Sequence, residues 1–172
     1  YENLQRIMRR YFHSGQSHVF IGKGPDKEGE LKERVRGALY DCSNIELHPR
    51  ELIVVGSAHL GFSPAPLADK FGKPFDPIRS DIDVAVVSHE LFDRLWRDLQ
   101  RAGLGNNTAV CRDVFLGLIR TESVSSVGDI GPGLWRMFGS LKTDLARCLR
   151  GRVYRDPWSM DNYHWTGIER AI

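Results

Sequence analysis

The run Asp81-Ile82-Asp83 sets two carboxylates two residues apart. In a strand such residues point to the same face, so both acids stand side by side while Ile82 turns to a core. Like charges a few ångströms apart repel unless a cation lies between them, and hard oxygen donors of this kind suit Mg²⁺ or Mn²⁺. Magnesium is typically held by one or two protein carboxylates, with waters and substrate phosphates completing its shell. Upstream, Gly56-Ser57 ends the apolar run Leu52-Ile53-Val54-Val55. A glycine-serine turn there lets backbone amides and a hydroxyl approach phosphate. Taken alone, each motif has an ordinary reading, since carboxylate pairs are often solvated and Gly-Ser turns abound. The order of the two, a turn after one strand and paired acids in the next, gives the phosphate chemistry its weight.

The elements that must carry these residues follow from hydrophobic spacing. Glu51–Val55 reads as a buried strand and Ser80–Val87 as a strand whose first half faces something polar. Between them, 58–79 holds four prolines and two glycines, which predicts a long loop with one helical turn. Ser88 is an N-cap for a helix with the stripe Leu91, Phe92, Leu95, Trp96 and Leu99, closing at Gly103. Leu4, Ile7, Met8, Tyr11 and Phe12 predict an N-terminal amphipathic helix, and Leu31, Val35, Ala38 and Leu39 a second over Glu28–Leu39. His18–Ile21 looks strand-like. Further on, Val110, Val114 and Leu118 suit one helix, while Trp135, Phe138, Leu141, Leu145 and Leu149 suit another around a Gly131-Pro132-Gly133 break. Gly151–Arg155 reads as a short strand stopped by Pro157, and Ser159 onward as a closing helix. The expected fold is α+β, a small mixed sheet flanked by helices, in one domain with its core at about 51–103 and a helical part at about 108–172.

The combination Gly56-Ser57 followed by Ser80-Asp81-Ile82-Asp83-Val84-Ala85-Val86, with Gly61 soon after the first pair, resembles the DNA polymerase β-like nucleotidyltransferase superfamily in its minimal form. The resemblance covers about Leu52 to Val87 and extends to Gly103. It implies that Gly56 and Ser57 contact the phosphates of a nucleoside triphosphate and that Asp81 and Asp83 bind the catalytic Mg²⁺ or Mn²⁺. It also implies transfer of a nucleoside monophosphate to a hydroxyl acceptor, which could be a protein, a small molecule or an RNA end. Two departures stand out. The proline-rich insert lengthens the gap between the two motifs, and a third carboxylate on a later strand has no obvious match. Asp156 is the best-placed candidate, while Asp113 and Asp129 fall in expected helix and loop. A third acid converging on the pair supports transfer. A basic or apolar third corner supports the alternative, a degenerate fold kept as a nucleotide-binding or protein-interaction module in a toxin–antitoxin or defence setting.

Other features weigh less. His59 follows Ser57 by two residues, but no Gly-x-Ser-x-Gly elbow exists, so it is expected at substrate or solvent. Gly22-Lys23-Gly24 lacks the rest of a Walker pattern and reads as a surface loop. Tyr154, Trp158, Tyr163 and Trp165 with Arg152 and Arg155 read as core or interface before base stacking.

The chain has 172 residues, 24 Lys and Arg against 22 Asp and Glu, and 41% hydrophobic residues. A chain this long can bury a core without a metal or disulfide staple, so a metal would be functional. A net charge of +2 gives no nucleic-acid footprint. Cys42, Cys111 and Cys148 form no zinc pattern and are expected as reduced thiols. No apolar run spans a bilayer and the start does not read as a signal peptide, which predicts a cytoplasmic protein without a membrane partner. The chain opens at Tyr1 and closes inside a helical pattern, so a longer protein is expected around it.

Overall fold

The computed structural model describes residues 15–24, 26–64, 71–141, 145 and 148–169, the side chain of residue 168 excepted. The helix expected over Leu4–Phe12 lies outside them. The fold is α+β: a four-stranded mixed sheet with helices on both faces.

The first described helix, α1 (Lys27–Ser43), buries Leu31, Val35 and Leu39 and ends at Asn44, whose left-handed φ of 54° lets its N–H reach the Tyr40 carbonyl. Strand β1 (Leu52–Val55) runs into the single helical turn α2 (Ser57–Leu60), and the insert then leads to β2 (Ile82–Val87). Ser88 caps α3 (His89–Arg101), its hydroxyl accepting from the Leu91 N–H at 3.3 Å. After α4 (Thr108–Phe115) come β3 (Leu118–Arg120), α5 (Gly131–Ser140), β4 (Leu149–Tyr154) and α6 (Pro157–Glu169).

The strand order is β1-β2-β4-β3, with β2 and β4 parallel at the centre and the outer pairs antiparallel. Alternation divides the side chains between the faces. Leu52, Val54, Ile82, Val84, Val86, Ile119, Leu149 and Val153 join the main core with α1, α3 and α5. Val55, Ala85, Val87, Leu118 and Tyr154 face the other way and pack with Met160 and Tyr163 of α6. That second cluster covers only part of its face. Asp81, Asp83, Arg150 and Arg152 share the uncovered part.

Four local expectations change. His18–Phe20 is a 3₁₀ turn, because burying Val19 and Phe20 is achieved by a tight chain reversal in which Phe20 N–H bonds the Ser17 carbonyl. Leu118 leaves the helix of Val110 and Val114, since Gly117, at φ 71°, ends that helix and starts β3. Pro132 opens α5 instead of breaking it, in the first turn where its missing N–H is harmless. The helix stops at Ser140, and Leu149 belongs to β4. The C-terminal part is therefore less helical than expected: it supplies two of the four strands, β3 and, where a short strand was expected at Gly151–Arg155, β4.

Gly151 sits where β4 crosses α5. A Cβ there would fall on the ring of buried Phe138 and within 2.6 Å of the Thr121 methyl. Gly151→Ala is expected to lower stability by about 1–3 kcal/mol through overpacking, read as a lower urea midpoint at unchanged slope. A midpoint equal to wild type would show that this contact is slack.

Candidate functional site

The parallel pairing of β2 and β4 builds the site. In its register Asp83 lies opposite Arg150 and Ala85 opposite Arg152. Each acid reaches two positions along the neighbouring strand: Asp81 Oδ2 to Arg150 Nε at 2.6 Å, and Asp83 Oδ1 to Arg152 Nη2 at 3.0 Å. Such diagonal pairs suit long side chains on one sheet face. Cys148, one residue before β4, donates its thiol to Asp81 Oδ1 at 3.0 Å. Arg150 also donates through Nη1 to Glu122 Oε1 at 3.0 Å.

These contacts fix the charge states. Burial works against the Arg152 cation, but the Asp83 carboxylate, Tyr154 and Tyr163 together outweigh it and hold the guanidinium above its usual range. Arg150 is held up likewise, burial being outweighed by Asp81, Cys148 and Glu122. Burial and the neighbouring Asp81 together push the Cys148 thiol up, so it stays a donor.

Gly56 occupies the turn that sequence reading assigned to it. Its φ of 68° and ψ of −147° are open to glycine and strained for other residues, and a Cβ would stand 3.2 Å from Asp83 Oδ2. The missing side chain lets the β1–α2 turn come against Asp83. Two adjoining cavities open here and share Ser57, Ser63, Asp83 and Arg152. The larger, about 790 Å³, is lined by charged and hydroxyl groups including Lys73, Arg79, Ser80, Asp81 and Arg150. The smaller, about 430 Å³, adds Pro64, Arg112, Phe115, Leu116, Tyr163 and His164. Gly56, Ser57, Asp81 and Asp83 are thus brought to one cleft.

Asp156 is not. It follows β4 at the far end from the acid pair, where its Oδ1 accepts from the Ser159 N–H at 2.7 Å and so caps α6. Burial would raise its pKa, yet the Ser159 hydrogen bonds and Arg155 outweigh that and hold it low. It is an ionised helix cap. His59 also departs from expectation: only 2% exposed, it lines neither cavity and lies with Nδ1 3.0 Å from the Ser17 hydroxyl. The aromatic residues divide, Tyr154 being wholly buried, Trp158 63% exposed and Tyr163 lining the smaller cavity.

The donor set does not fit a two-metal centre. Asp81 and Asp83 each already face a guanidinium, and the neighbouring strand β4 contributes two permanent cations and no acid. Asp83 Oδ1, buried and without a hydrogen bond of good angle, is turned toward Arg152. Among the described residues no three His, Cys, Asp or Glu side chains gather as metal ligands. Sequence reading missed this role of Arg150 and Arg152. The signal was present in Leu149-Arg150-Gly151-Arg152-Val153, whose alternation puts both arginines on one face.

Behind the cleft, the buried Tyr154 hydroxyl lies 3.3 Å from His164 Nε2. Burial, and then the Arg152 and His59 charges, push the His164 pKa down from 6.5 to about 3. The folded state therefore binds fewer protons than the unfolded chain between these values. The stability this neutral ring contributes is complete above pH 6.5 and is lost as pH falls toward 3, by roughly 1 kcal/mol per pH unit. Between pH 6.5 and 5, before most carboxylates titrate, His164→Gln is expected to flatten the fall in urea-unfolding free energy. Equal slopes for both proteins would remove His164 as the cause.

Among the described residues no helix is long and apolar enough to cross a membrane. Comparison with protein-family models, with curated proteins and with solved structures finds no match to this chain.

Proposed function

We propose that the chain is a nucleotide-binding domain of nucleotidyltransferase-like type in which Arg150 and Arg152, rather than a pair of metal ions, meet the phosphates. The observation that carries this reading is the basic third corner: the strand beside the acid pair offers two arginines to the cleft. A guanidinium presents forked donors that match phosphate oxygens, and it is less strongly hydrated than ammonium, so it suits a half-buried phosphate site. Ser57, shared by both cavities, adds a hydroxyl at their junction. The charged cavity suits the phosphates. The other, with Phe115, Leu116 and Tyr163, suits the sugar and base, whose faces pack on apolar and aromatic walls.

Binding in this reading is an exchange of partners. Arg152 turns from Asp83 to a phosphate oxygen, and Arg150 from Asp81, so the affinity is a difference between two ion-pair arrangements. That difference falls with ionic strength because the cleft is open to solvent.

A second reading is transfer of a nucleoside monophosphate from a nucleoside triphosphate to a hydroxyl acceptor, dependent on Mg²⁺ or Mn²⁺. One observation favours it, namely that Asp81 and Asp83 open on the same cleft as Ser57. It requires both arginines to withdraw from the acids.

Calorimetric titration with each of the four nucleoside triphosphates, in EDTA and in Mg²⁺, separates the two. At least one is expected to bind in EDTA within about threefold of its affinity in Mg²⁺. Arg152→Gln is expected to weaken it by about tenfold or more, the loss of one charge-assisted hydrogen bond at roughly 1.5–3 kcal/mol. A urea midpoint near wild type checks that this variant is folded. Label transfer into cell extract that needs Mg²⁺ and disappears in Asp81→Ala/Asp83→Ala would establish the second reading instead. Absence of binding in both buffers, with no transfer, would overturn both.

A further inference from the structure

We infer that Lys73 and Arg79, both on the insert between α2 and β2, form the wall that receives the terminal phosphates and makes the cleft select a nucleoside triphosphate over a monophosphate. This rests on the nucleotide-binding reading and gives the insert a role that the sheet residues do not fill.

The described part of the insert is fastened to the exit of α2. Ser63 N–H bonds the Lys73 carbonyl at 2.8 Å, Gly72 N–H the Ser63 carbonyl at 2.9 Å, and Phe75 N–H the Gly61 carbonyl at 2.8 Å. Phe62 and Pro74 form an antiparallel bridge, and the Phe62 and Phe71 rings meet edge to face at 6.5 Å. Next, Asp76 organises a turn: its Oδ1 accepts from the Ile78 N–H at 2.9 Å and its carbonyl from the Ser80 N–H at 2.7 Å. Lys73 is thereby set one bridge away from Ser63 at the mouth, and Arg79 just ahead of Asp81. Both line the larger cavity together with Arg150 and Arg152.

Among the described residues the cavity's acids are Asp76, Asp81 and Asp83 and its bases Lys73, Arg79, Arg150 and Arg152, and Glu122 joins Arg150 from outside the lining at 3.0 Å. Asp81 and Asp83 are matched on the sheet at 2.6 and 3.0 Å. Asp76 approaches Arg79 only at 3.9 Å, and the Arg79 side chain is 88% exposed, so water screens the pair. Lys73 has no ion pair among the described residues. Among the described residues the insert therefore brings to this cavity of about 790 Å³ one cation without an ion pair, Lys73, and one loosely held, Arg79. A single phosphate at Ser57 and Arg152 leaves those cations unsatisfied. Two further phosphates in a chain extend the anion across the cavity and give each wall a partner.

The test compares ATP, AMP and inorganic tripolyphosphate by calorimetry, with any other nucleoside that binds better substituted for adenosine. Wild type and Lys73→Ala/Arg79→Ala are titrated, with Lys73→Glu as a second variant on a side chain that makes no ion pair among the described residues. Wild type is expected to prefer the triphosphate at least tenfold. The double variant is expected to lose about 10- to 100-fold in triphosphate affinity while AMP stays within about twofold, and Lys73→Glu to lose about tenfold or more in triphosphate affinity with AMP likewise within about twofold. An unchanged triphosphate-to-monophosphate ratio with nucleotides still bound would overturn the insert's role and leave the nucleotide reading intact. Tripolyphosphate binding that is lost in the variants, with no nucleotide bound by any protein, would support the wall and remove the nucleotide reading. No binding of any probe to wild type would overturn both.

Discussion

Four charged side chains on one half-buried sheet face must be matched in place, because a lone charge there loses hydration without gaining a partner. The parallel pairing of β2 with β4 supplies the match, Asp81 to Arg150 and Asp83 to Arg152. The same pairing is specified from the other face. A slip of one residue along β4 would carry both arginines into the main core and bring Leu149 and Val153 out of it. Hydrophobic burial and charge matching therefore select one register, and the cleft inherits its geometry from that register.

The arginines also change the chemistry available. Paired carboxylates on a strand are an invitation to a divalent cation, whereas here each of the two carboxylates is already answered by a guanidinium group, Arg150 being shared with Glu122. In such an array the attractive sites for a newcomer are the cations, since an anion can replace a carboxylate as their partner. Gly56 brings the β1–α2 turn against Asp83, and the hydroxyl of Ser57 reaches the same space. The turn resembles a phosphate-contacting one in sequence, and the cavities it opens on are lined by Arg150 and Arg152 as well as by the two acids.

Much of this was legible in the sequence where a local rule applied. The strands at Leu52–Val55 and Ile82–Val87 and the Ser88-capped helix follow from spacing and capping, while the one helical turn expected within the loop at 58–79 lies at its start, over Ser57–Leu60. Misreadings arose where a leucine fitted two periods at once. Leu118 and Leu149 each extend a helical stripe on paper, yet each begins a strand once Gly117 or the end at Ser140 has stopped the helix. His18–Phe20 was misread because a short apolar run carries no period long enough to tell a strand from a 3₁₀ turn. The third corner was hidden for a different reason. Arg150 and Arg152 are visibly on one face of their segment, but nothing local says that this segment lies beside Asp81 and Asp83.

The strands that meet at the cleft are distant along the chain. Between the end of β2 at Val87 and the start of β4 at Leu149 the polypeptide makes α3, α4, β3 and α5 before returning. Closing so long an excursion is entropically slow relative to hairpin formation, so β1 and β2 can zip early while β4 arrives late. The acid pair then exists before its arginines do. For a chain emerging from a ribosome, the interval between Asp83 and Arg152 is an interval in which two exposed carboxylates stand on an open strand edge. Completion of the central parallel ladder ends it, and the cleft takes its final form only then.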